Sequence, residues 1–61
     1  MLEKSYFVRC KTKDGSVVIW EFATLDEAQR HFEAQKSYVE LSLTERSWFD
    51  GHDTVLRKKV L

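Results

Sequence analysis

The chain of 61 residues has no proline, one cysteine and two glycines, and its ten Lys and Arg are balanced by ten Asp and Glu, for a formal net charge of zero. Each scarcity excludes something. A single cysteine, Cys10, forms no internal disulfide, so a disulfide-stapled secreted scaffold is ruled out. No apolar run approaches the roughly 18 residues of a membrane span. No basic-then-apolar start marks a secretory leader, so a cytoplasmic protein off the membrane is expected. Zero net charge removes any global attraction to nucleic acid or to a lipid surface. With no proline, repeat or low-complexity stretch, nothing divides the chain, and residues 1–61 are expected to form a single small domain. At this length only about 60% of the unfolded surface is buried on folding, so one thin core carries the stability.

What is present is 43% apolar residues and two well-placed glycines. Gly15 and Gly51 each follow an aspartate, in Lys13-Asp14-Gly15-Ser16 and Phe49-Asp50-Gly51-His52, and Asp-Gly between alternating apolar runs signals a hairpin. In the first hairpin a two-residue loop makes facing positions sum to 29, setting Tyr6, Val8 and Cys10 on one face with Val17, Ile19 and Glu21. A three-residue loop, Lys13-Asp14-Gly15 with glycine at the left-handed bulge position, makes the sum 28. Tyr6 then faces Phe22, Val8 faces Trp20 and Cys10 faces Val18. Six apolar side chains gather on one face, and because a one-residue slip turns every side chain over, this separation selects the three-residue loop.

Thr24-Leu25-Asp26-Glu27 is a capping box, with Asp26 and Glu27 placed where the helix dipole favours negative charge. Leu25, Ala28 and Phe32 then recur at helical spacing between polar neighbours, which predicts a one-sided helix of about three turns. Residues 38–44 alternate strictly, with Val39, Leu41 and Leu43 inward, and residues 54–61 read as a returning strand. The expected fold class is α+β: a ββαββ chain forming a four-stranded antiparallel sheet from two hairpins, with one helix packed on one face.

One helix covers one face of such a sheet, so function is expected on the other. That face carries Phe7, Arg9, Lys11, Val17, Ile19 and Glu21 from the first hairpin and Tyr38, Glu40, Ser42 and Thr44 from the third strand. Exposed apolar side chains and loop aromatics mark interfaces. Phe7, Val17, Ile19, Tyr38 and Trp48 are therefore the candidate contacts for a protein partner or a second copy of the chain. Trp48 and Phe49, read as adjacent strand residues, must point to opposite faces, so at most one of them is core. A nucleic-acid reading rests on Arg9, Lys11, Arg57 and Lys59, but Glu3, Glu21, Glu40, Asp50 and Asp53 dilute any basic stripe. Asp50, His52 and Asp53 are explained by turn chemistry without a metal. His31 lies on the helix beside the apolar stripe, as a boundary residue rather than a base, and Cys10 points inward as a small apolar residue. There is no phosphate loop and no pair of pocketed carboxylates, so no enzyme, cofactor or small-molecule substrate is expected.

The order strand, Asp-Gly, strand, then Phe22-Ala23-Thr24-Leu25-Asp26-Glu27-Ala28 opening a helix resembles two groups. One is the arm-site DNA-binding domain of phage integrases, in which three strands precede the helix on a basic sheet; here two precede it, and Val17-Val18-Ile19-Trp20 has no basic residue. The other is the set of small phage- or prophage-encoded ββαββ proteins, anti-CRISPR proteins among them, several of which occlude a surface of a host protein. This second resemblance implies a non-enzymatic inhibitor that binds a partner protein.

Overall fold

A computed structural model describes residues 4–61; Glu3, counted above among the diluting carboxylates, lies outside them. Strand β1 is Lys4–Lys11, β2 Val17–Phe22, helix α1 Leu25–Ala34, β3 Glu40–Ser47 and β4 Asp53–Val60. The four strands form one antiparallel sheet in the order β2-β1-β3-β4. The fold is thus the α+β ββαββ arrangement that the pattern implied.

The first hairpin closes through the three-residue loop. Gly15 N–H donates to Thr12 C=O at 3.0 Å and Thr12 N–H to Ser16 C=O at 2.9 Å, with Gly15 at φ +89°. The Asp14 carboxylate accepts from the Thr12 hydroxyl and from Ser16 N–H, which holds its carboxyl below the ordinary aspartate value. Tyr6 pairs with Phe22, Val8 with Trp20 and Cys10 with Val18. The helix starts as a cap: Thr24 is extended, and its hydroxyl accepts the Glu27 N–H at 3.3 Å.

The core is Val8, Cys10, Leu41 and Leu43 from the two central strands against Ala28 and Phe32 of the helix. Helix α1 lies over β1, β2 and β3. It meets β4 only through long side chains, since Glu33 accepts Arg57 at 2.6 Å and Lys59 at 3.4 Å while both cations sit over the Phe32 ring. His31, in the last turn of the helix, lies against Trp20 and Phe22, with ring centroids 4.2 and 5.2 Å away, and its Nε2 is buried without a hydrogen-bond partner among the described residues.

Two expectations need correction. The third strand begins at Glu40 rather than at residue 38, and Tyr38 packs against the core on the helix side instead of standing on the open face. The chain has just left the helix at that point and has not reached strand alternation. Trp48 and Phe49 do not continue a strand; they form the turn itself, closed by Gly51 N–H to Ser47 C=O and Ser47 N–H to His52 C=O, so both are exposed. Val18 points to the helix side as expected, yet it is 44% exposed because it lies on the edge strand.

Candidate functional site on the open sheet face

Reading the three registers across the sheet gives the open face as rows of side chains. Val17, Lys11, Glu40 and Val60 form one row; Ile19, Arg9, Ser42 and Lys58 the next; Glu21, Phe7, Thr44 and Val55 a third; Ser5, Arg46 and Asp53 the last. Apart from Phe7, the centre of the face is therefore polar or charged, and its aliphatic residues stand on the edge strands. Val17 and Ile19 do not form a continuous patch with Phe7 along any row, but Ile19 and Phe7 are diagonal neighbours within reach of each other.

Between them lies a shallow depression of about 360 Å³ lined by Phe7, Arg9, Ile19, Ser42, Thr44, Arg46 and Asp53. One end is built around Arg46. Its guanidinium grips Asp53 with two bonds, at 2.8 and 3.2 Å, and lies 4.6 Å from the Phe7 ring centroid and 5.4 Å from that of Trp48. This fork pairing holds the Asp53 carboxyl below and the Arg46 guanidinium above their ordinary values. Trp48 is fixed in turn: its indole N–H donates to Ser5 Oγ at 2.6 Å, which buries Ser5 and leaves the ring 52% exposed at the rim. Phe49, at the turn tip, is 95% exposed.

Of the residues expected to meet a partner, Phe7 and Ile19 line the depression, Trp48 stands at its rim through Arg46, and Val17 flanks it on the edge strand. Tyr38 is separated from them by the thickness of the sheet. The four basic candidates divide between faces: Arg9 and Lys11 lie on the open side without a carboxylate partner among the described residues, whereas Arg57 and Lys59 face the helix and pair with Glu33. In the second turn Asp50 accepts the His52 N–H, which lowers its carboxyl, while Asp53 turns to Arg46. Among the described residues no group of three His, Cys, Asp or Glu side chains converges to hold a metal, and no helix is long and apolar enough to cross a membrane.

Sequence reasoning missed Arg46, the residue that organises the site, because its partners depend on the second hairpin's register. The four-residue turn places Arg46 opposite Asp53, and β1–β3 pairing places Phe7 opposite Thr44, diagonal to Arg46. Comparison with known proteins finds no match: no family model, no curated protein and no solved structure aligns with this chain.

Proposed function

We propose that the chain is a non-enzymatic cytoplasmic module that binds a partner protein through its open sheet face and acts by occluding that partner's surface, as its resemblance to small phage-encoded ββαββ proteins implies. The observation that carries this reading is the depression beside the paired Arg46, with the Phe7 and Trp48 rings close to its guanidinium and Ile19 in the lining. Interface anchors are drawn preferentially from Trp, Tyr and Arg, and side chains already held in place lose less freedom on binding. The Ser5 and Asp53 contacts hold Trp48 and Arg46 in this way before any partner arrives.

A second reading, nucleic-acid binding, is favoured by Arg9 and Lys11, which have no carboxylate partner among the described residues and lie on the same face as Phe7 and Trp48. It is the weaker one, since Arg57 and Lys59 lie on the opposite face against Glu33. One variant separates the two. Ser42→Arg fills the depression without touching the core. Protein binding, followed by retention of the partner from a lysate of the producing or host cell on the immobilised chain, then falls by roughly tenfold or more. An oligonucleotide would instead be held more tightly at low salt through the added phosphate contact. Unchanged retention by Ser42→Arg overturns the face-docking reading.

A further inference from the structure

The sheet ends in two edges that differ. Strand β4 is guarded by a bulge that leaves Leu56 out of the pairing and by the basic run Arg57-Lys58-Lys59, devices that keep an edge from pairing with another chain. Strand β2 has none of them. It contains no basic residue and no proline, its pairing with β1 is unbroken, and Val17, Val18 and Ile19 are 43%, 44% and 59% exposed. Its free backbone groups follow from the turn. Thr12 N–H bonds Ser16 C=O, and antiparallel bonding alternates along the strand. Val18, Trp20 and Phe22 therefore exchange bonds with β1, and the N–H and C=O groups of Val17, Ile19 and Glu21 point away from the sheet.

We propose that this edge pairs antiparallel with the β2 edge of a second copy of the chain, about a two-fold axis at Ile19. In that register the outward groups of Val17, Ile19 and Glu21 meet those of the other copy in phase. Ile19 faces Ile19, Val18 faces the second copy's Trp20 on the helix side, and Val17 faces its Glu21, so each exposed aliphatic residue gains a cross-strand neighbour. Charge selects the same occupant. Glu21 and Lys11 make no salt bridge among the described residues. The pairing sets Glu21 of each copy one strand beyond Lys11 of the other, about 10 Å between backbones and within the joint reach of two long side chains. Centring the axis on Val18 instead sets Glu21 opposite Gly15, and centring it on Trp20 sets Val17 opposite Ala23, beyond the end of the strand. The product is a continuous eight-stranded sheet with both helices on one side and two open faces, side by side, on the other.

This pairing goes beyond the face-docking reading and does not rest on it: the edge is joined through the backbone of β2, whereas the depression lies mostly across β1 and β3, and although Ile19 belongs to both, Val17→Pro and Ser42→Arg act on one each. The test is sedimentation equilibrium of the full chain, with circular dichroism to confirm folding. The wild type is expected to dimerise. Ile19→Lys and Ile19→Glu, placing like charges opposite each other at the axis, each raise the dissociation constant by roughly tenfold or more. Mixing the two restores a dimer of one copy of each. Val17→Pro, which removes an outward N–H at the first residue of a strand, where proline is tolerated, weakens the dimer without a charge change. Ser42→Arg leaves it intact. A wild type that stays monomeric to roughly 1 mM, charged variants that dimerise as well as the wild type, or a mixture no stronger than its components overturns the proposal.

Discussion

The two faces of the sheet are built from the same four strands and have opposite plans. Under the helix, apolar side chains occupy the centre, Val8 and Cys10 beside Leu41 and Leu43, and the charges of Arg57 and Lys59 stand at the β4 edge. On the open side, Phe7 apart, the charges and hydroxyls of Arg9, Lys11, Glu40, Ser42 and Thr44 occupy the centre, and aliphatic residues stand at the edges. A helix about 10 Å across covers two to three strands spaced about 4.8 Å apart, so burial rewards apolar residues only in the middle of one face. Apolar residues elsewhere add little to the core and are free to serve an interface.

The largest expected effect lies on the covered side. Phe32→Ala, at a fully buried ring spanning the helix and the central strands, costs about 3–5 kcal/mol in urea unfolding, enough to leave a domain of this size largely unfolded. Gly15→Ala comes next: a Cβ there meets nothing within 4 Å, so the cost of about 1–2 kcal/mol is that of a left-handed backbone alone, read as a drop in the thermal midpoint. Glu33→Gln releases Arg57 and Lys59 from the helix. Because these pairs are about half exposed and screened, the loss stays below about 1 kcal/mol and shrinks further in high salt.

The smallest effect concerns acid. The carboxyls of Asp14, Asp50 and Asp53 are lowered from the ordinary value of 3.8 in the folded chain. A depressed carboxyl stabilises the fold above its unfolded value, and that contribution is lost as pH falls through the folded value. Stability is therefore expected to decline below about pH 4. Asp53→Asn makes the decline shallower, and it does so on the open face, where it also frees Arg46. Unfolding midpoints measured from pH 5 to pH 2 check the sign.

The covered face was the more legible of the two in the sequence, for a physical reason. The register of the first hairpin follows from Asp14 and Gly15 and their immediate neighbours, and the helix start from Thr24 and Glu27, all local chemistry. The open-face site depends on contacts between distant segments. Ser5 meets Trp48 across 43 residues, and Phe7 nears Arg46 only because β1 lies against β3 rather than at an edge. Trp48-Phe49 has the composition of a strand, yet the turn begins there. Tyr38 fitted the alternation of Leu41 and Leu43 but falls where the chain is still crossing from the helix to the sheet.

Equilibrium urea unfolding of Ile19→Asp, followed by circular dichroism at roughly 1 µM chain, where association contributes little, tests the division between the two faces most directly. Ile19 is as apolar as any core residue but 59% exposed on the open side. The expected result is a wild-type spectrum and a midpoint within about 0.5 kcal/mol of the wild type. A variant that is unfolded, or weakened by the several kcal/mol of a charge buried in a core, would show that the open face is core and contradict the assignment of that face to binding.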